Sequence, residues 1–182
     1  MSPTVALAYL GGAAGYGALL AGVLLLGWTT LRRRPPTWAE CGLALSAAFA
    51  LFLGLHPFPD PADVACQAPR LRPFAFWQDY TRLWHADASL RAWLTLLGAV
   101  APAMNVVLFA PVGLCLGVLG IRPAAAALTG LALSLVIETA QLTGLWGIYP
   151  CAYRRSETDD LLLNTFGVWA GAVAMRRLAL AR

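Results

Sequence analysis

The sequence predicts an all-α membrane protein: five transmembrane helices, with an extracellular amphipathic helix lying at the membrane interface between the second and third. Three observations lead there. Five apolar runs divide the chain, and none is interrupted as a soluble amphipathic helix would be. Hydrophobic residues make up 59% of the 182 positions and charged residues only 12%, against about 25% charged in a soluble domain. A chain this short has too little core to hide that excess, so much of it must face lipid. Finally, the arginines sit beside the apolar runs, where anchoring and orientation account for them. The net charge of +4 therefore makes no case for nucleic acid. Residues 1–182 read as one membrane domain.

The first span covers about residues 5–31, an uncharged stretch followed by Arg32, Arg33 and Arg34. With nothing basic before it and a stop-transfer cluster after it, it reads as a span and not a cleavable signal. The second covers 38–55. From His56 to Arg91, prolines and aspartates break every long apolar run. Within that loop Phe76, Trp77, Tyr80, Leu83 and Trp84 recur at helical spacing, with Gln78, Asp79, Arg82 and Asp87 between them. An aromatic amphipathic helix of this kind suits the headgroup layer or a lid over the spans. The third span covers about 93–120, the fourth 124–145 and the fifth 159–178.

Arginine placement sets the orientation. With the N-terminus outside, seven arginines fall in short inner segments; the six outer ones lie in longer loops among seven carboxylates. The expectation is N-out and C-in, in a bacterial plasma membrane. Cys66 and Cys151 then both lie in outer loops, where an oxidising environment favours a disulfide between them, two unpaired thiols being the alternative. Cys41 and Cys115 lie in or beside apolar runs and read as small packing residues. No CxxC spacing points to zinc or thiol redox chemistry.

The polar residues inside the last three spans carry the functional argument. Glu138 is the one carboxylate well inside an apolar run, with Ser134 a turn before it and Gln141 a turn after. A charge at the bilayer centre costs about 2.5–3.5 kcal/mol on insertion scales, so such a residue faces the bundle interior and marks a site. In the fifth span Asp160, Asn164, Gly167 and Gly171 form one stripe, and Asp159 joins Asp160 in the first turn, where the helix dipole favours carboxylates. The third span supplies Asn105, a kink at Pro111, and the small pair Gly113 and Gly117. In the N-out arrangement Glu138 lies about 10 Å below the outer end of its helix. Asn105, Asp160 and Asn164 reach the same level from the other two helices. Arg154, Arg155 and Glu157 stand in the short loop above.

These residues fall in three ordered motifs: Asn105 through Pro111 to Gly113, Ser134 through Glu138 to Gln141, and Arg154 through Glu157, Asp159, Asp160 and Asn164 to Gly167. Over about residues 95–175 the chain resembles the VanZ-like family. The resemblance implies a small multi-pass bacterial membrane protein of the cell envelope, whose founding member is linked to teicoplanin resistance. It makes Asn105, Glu138, Gln141, Arg154, Asp159, Asp160 and Asn164 the signature positions. One position, commonly Asp in the family, is Glu157 here. The resemblance implies no reaction.

Three readings follow. The first is an outer-leaflet pocket built from Asn105, Glu138, Gln141, Arg154, Arg155, Asp159, Asp160 and Asn164. It would bind a polar headgroup: a membrane lipid, a lipid-linked wall precursor or a glycopeptide. The second is an intramembrane enzyme using Glu138 and Asp160 as acid and base, although no nucleophile accompanies them. The third is a polar network that only locks the helices together. Glu138, Asp159 and Asp160 are oxygen ligands suited to a divalent cation, but neither a metal nor another cofactor is expected. The absence of an inverted repeat disfavours a transporter.

Overall fold

The computed structural model describes residues 3–95 and 97–181, and among these it is all-helical, with a single isolated bridge between Arg70 and Glu157 in place of any strand. Leu96, inside the expected third span, lies outside the described residues. Among the described residues four helices are long and apolar enough to cross a membrane: α1 (Pro3–Arg32), α2 (Trp38–Leu55), α5 (Leu97–Val118) and α6 (Pro123–Leu142). Between α2 and α5 lie α3 (Phe76–His85) and the short α4 (Leu90–Thr95). After α6 come the single turn α7 (Gly144–Gly147) and the long α8 (Thr158–Leu180).

One helix end differs from the expected spans. The fourth ends at Leu142, not Leu145, because Leu145 and Trp146 both take φ 56° and reverse the chain in a left-handed turn. Gly144, at φ 62°, makes that turn possible. A Cβ there would sit 2.7 Å from the Tyr149 carbonyl oxygen and 2.6 Å from that of Cys151.

Local chemistry sets the other ends. Thr37 and Glu40 form a capping box at the start of α2, with Thr37 N–H donating to Glu40 at 2.7 Å and Glu40 N–H to Thr37 Oγ1 at 3.3 Å. The Arg34 guanidinium closes the α1–α2 turn onto the same carboxylate at 2.6 Å. Pro123 opens α6 at a position where its missing N–H costs nothing.

Packing places α8 against α5 and α6, with α2 and then α1 on the other side. Without a hydrophobic drive between helices in lipid, contact depends on close backbone approach. Gly113 and Gly171 supply it: a Cβ on Gly113 would strike the Val168 carbonyl, and one on Gly171 the Ala110 carbonyl. Gly167 meets the Val106 carbonyl oxygen at 2.6 Å in the same way. Around this seam Phe109, Val112, Leu116, Ile137 and Val168 form the buried core. Cys115 faces α2, its Sγ 2.9 Å from where a Cβ on Gly42 would stand, which is the packing role expected of it. Leu7, Leu19, Val23 and Leu26 on α1 are exposed, as a surface meeting lipid tails would be.

The loop between α2 and α3 is stitched to the loop before α8. Cys66 and Cys151 form a disulfide with Cα atoms 5.6 Å apart. Gln67 N–H donates to Ala152 O and Arg70 N–H to Ser156 O, both at 2.8 Å. Tyr149 and Tyr153 hydroxyls donate to Pro59 O at 3.1 Å and Leu55 O at 2.7 Å. Burial pushes the Tyr153 hydroxyl up to about 12, so it stays a donor. These two loops, with α3, form a cover over one end of the bundle.

Candidate polar site beneath the loop cover

Three helices bring polar side chains together under that cover. Asn105 on α5 donates its amide to Asp160 Oδ1 on α8 at 2.5 Å. Ser134 on α6 donates to the backbone carbonyl of Asp160 at 3.3 Å, and Asn164 Nδ2 donates to Ser134 Oγ at 2.9 Å. Glu138, one turn on from Ser134, accepts the Glu157 N–H on Oε2 at 2.8 Å and so caps an orphan donor at the start of α8. Gln141 reaches the other way and donates to Gly54 O on α2 at 2.8 Å.

Not every expected residue joins this group. Arg154 turns away, donating to the His56 carbonyl and to the Tyr9 hydroxyl, so that it pins α1 and α2 to the loop. Asp159 also turns away: its two oxygens accept the N–H groups of Phe74 at 2.5 Å and Phe76 at 2.9 Å. It thereby holds the entry to α3, where Phe74 has φ 58°. With both its oxygens so engaged, Asp159 does not close a metal site with Glu138 and Asp160. Among the described residues no group of three or more His, Cys, Asp or Glu side chains is placed to hold a metal ion.

Two cavities flank Asp160. The outer one, about 580 Å³, lies between α3 and the starts of α5 and α8 and is lined by Arg70, Asp79, Arg82, Arg155, Glu157, Asp159 and Asp160. Its charges are partly paired, Arg70 with Asp79 at 3.2 Å and with Glu157 at 3.8 Å. Burial raises the Glu157 carboxyl above its ordinary range, with Arg70 and Arg155 opposing the shift.

The inner cavity, about 310 Å³, is mostly apolar, with Leu10, Leu53, Met104, Leu108 and Phe109 in its walls. Its polar lining is Tyr9, Asn105, Glu138, Gln141, Asp160 and Asn164. Three of these side chains carry an oxygen that no group among the described residues satisfies: Glu138 Oε1, Gln141 Oε1 and Asn164 Oδ1. The residues are 5%, 3% and 4% exposed, so bulk water does not reach them. The amide orientations follow from their partners. Gly54 O can only accept, which makes Gln141 its donor. Ser134 Oγ gives its proton to Asp160 O, so Asn164 must present its NH₂ to Ser134 and leave its oxygen free.

A family model described as VanZ/LLP1 matches residues 23–180. The chain belongs to the VanZ/LLP1 family. No curated protein and no solved structure matches it. The VanZ/LLP1 match takes in α2 to α8 and every polar group of the inner cavity except Tyr9. Tyr9 was not among the expected site residues, since a lone tyrosine in an apolar helix signals an interface as readily as a cavity. Arg70, Asp79 and Arg82 were also outside the expected set. The sequence allows a lid over the spans here but does not show which of its charges meet Arg155 and Glu157.

Proposed function

We propose that this VanZ-like cell-envelope protein binds the polar head of a membrane-borne ligand in the inner cavity, beneath the loop cover on the outer face of a bacterial plasma membrane. One observation carries the reading: three side chains that line a single cavity each carry a buried oxygen without a hydrogen-bond partner among the described residues. Buried polar groups in folded proteins are nearly always satisfied, and each that is not costs about 1–3 kcal/mol. A network that served only to lock helices would have consumed these acceptors. A ligand, with any water accompanying it, completes them.

In this reading α8 is the fifth span. Its charges, Asp159, Asp160, Arg176 and Arg177, lie towards its two ends, and the segment between them is uncharged. The N-terminus is outside and the C-terminus inside, as arginine placement favours. Helix α3 then lies at the outer interface, with Trp77 and Trp84 exposed towards the headgroup layer and Leu83 turned inward. Candidate ligands are membrane lipids, a lipid-linked wall precursor or a glycopeptide, and a role in glycopeptide resistance would follow from the last two.

The shared position of Glu138 and Asp160 on one cavity favours a second reading, an intramembrane enzyme with these two as acid and base. Ser134 is no nucleophile, being buried and committed to Asp160 and Asn164.

The test is Glu138→Gln and Asn164→Leu, expressed in a glycopeptide-sensitised host. Membrane abundance, thermal unfolding and susceptibility are followed together. Normal abundance with altered susceptibility is expected; loss of abundance with no other effect would favour the purely structural role. Turnover of a lipid-linked precursor by wild type alone would decide for the enzyme.

A further inference from the structure

The inner cavity is selective in sign as well as in shape. Its three unpartnered groups are all acceptors, and a fourth lining residue, Asp160, is a second carboxyl group. Among the described residues neither Glu138 nor Asp160 forms an ion pair with an arginine, and Arg154 in the loop above acts on Asp160 only at longer range while donating to His56 and Tyr9. A phosphate or carboxylate entering here would bring more acceptors and more negative charge to a lining whose unpartnered atoms are all acceptors and whose amide N–H groups are already partly engaged. The chemistry of the lining disfavours that ligand class.

Resting on the headgroup-binding reading above, we propose that the inner cavity takes a primary-ammonium head group carried on an apolar chain. A primary ammonium has three N–H donors and one positive charge. Glu138, Gln141 and Asn164 carry three free oxygens, one of them on a carboxyl group that an incoming cation would hold ionised. A trimethylated ammonium matches the charge but has no donor. A sugar head has donors but brings no charge to pair with an ionised carboxyl, so it gains only neutral hydrogen bonds, weaker than charge-assisted ones. The apolar walls, represented by Leu108, suit the first methylenes of a chain. Any anionic group of the same amphiphile would lie outward of Asp160, where Arg155 and Arg82 line the outer cavity.

The experiment uses the full chain in phosphatidylcholine nanodiscs, a background without headgroup N–H donors. Dodecylammonium, dodecyltrimethylammonium, dodecyl maltoside and chainless ethanolamine are titrated, and binding is followed by the thermal-unfolding shift. The proposal expects dodecylammonium to bind at least tenfold more tightly than each of the others. It also expects that margin to vanish in Glu138→Gln, which keeps the shape and removes the charge. Leu108→Trp adds bulk to the apolar wall and removes no polar group. It should weaken dodecylammonium as strongly, and it serves as the second variant if Glu138→Gln does not fold. Tightest binding of the maltoside would overturn the ammonium class while leaving a headgroup pocket in place. Ethanolamine binding as tightly as dodecylammonium would overturn the lipid and point to a free amine. No dependence on head group would overturn both this proposal and the reading beneath it. An ammonium preference that survives in both variants would place the amine elsewhere and overturn the proposal alone.

Discussion

Asn105 Nδ2 lies 2.5 Å from Asp160 Oδ1, an amide on α5 meeting a carboxylate on α8 across 55 residues of sequence. This is the polar counterpart of the glycine seam lower in the same helix pair. Replacing Asn105 by Leu removes the donor and leaves the carboxylate oxygen with a cavity and no partner. The expected cost is about 1–3 kcal/mol, the range for a buried group left unsatisfied. It should appear as a lower unfolding temperature in detergent, and Asn105→Asp should be worse, because it sets two carboxylates face to face.

The seam itself predicts a sharp contrast between glycines. Gly171→Val drives a side chain into the Ala110 carbonyl, a backbone atom that cannot swing aside. Overpacking by side chains alone costs about 1–3 kcal/mol, and this collision with the main chain should reach at least the upper end. Gly15 on α1 has nothing within 4 Å of its Cβ position, so Gly15→Ala should be silent or slightly stabilising. Size-exclusion profiles of the two variants, heated in steps, read the difference directly.

The Cys66–Cys151 bond spans 85 residues and ties the long loop to the segment before α8. By chain entropy alone, closing a loop of that length contributes about 4–5 kcal/mol. Reductant should therefore lower the unfolding temperature of the wild type and have no effect on Cys66→Ser, which starts low. An unchanged wild-type transition would mean that the loop cover adds nothing to the stability of the bundle.

His56, at the end of α2, predicts a pH dependence. Its ring packs against Tyr9, Tyr16 and Phe58, and burial first, then the Arg154 charge, hold the imidazole below its ordinary 6.5. As pH falls, the unfolded chain takes up this proton before the folded one does. Stability from this group is therefore complete above pH 6.5 and is lost as pH drops from there towards the lower folded value. Unfolding temperatures of wild type and His56→Gln, measured from about pH 8 to about pH 5, should diverge at the high end and converge at the low end.

Much of this molecule is legible in its sequence, for a physical reason. Lipid imposes long uncharged helices, so α1, α2, α5 and α6 announce themselves by length and composition alone. A polar group inside such a helix is equally conspicuous, which is why Asn105, Glu138 and Asn164 stand out at once. What hydropathy does not encode is direction at the helix ends. Asp159 and Asp160 are adjacent and chemically alike, yet one caps the α3 entry and the other enters the cavity. That division is decided by Phe74 and Phe76, more than 80 residues earlier. Arg154 and Arg155 divide in the same way, one to the bundle and one to the outer cleft. The left-handed turn at Leu145 and Trp146 was hidden because neither residue favours positive φ in isolation.

The central claim is that the cavity under the loop cover holds a membrane-borne molecule by the free oxygens of Glu138, Gln141 and Asn164. Native mass spectrometry of the protein purified gently from its own membranes tests this most directly, with wild type compared against Glu138→Gln and Leu108→Trp. A ligand mass retained by wild type and lost from both folded variants is the predicted result. The same bound species in all three proteins, or none in the wild type, would contradict it.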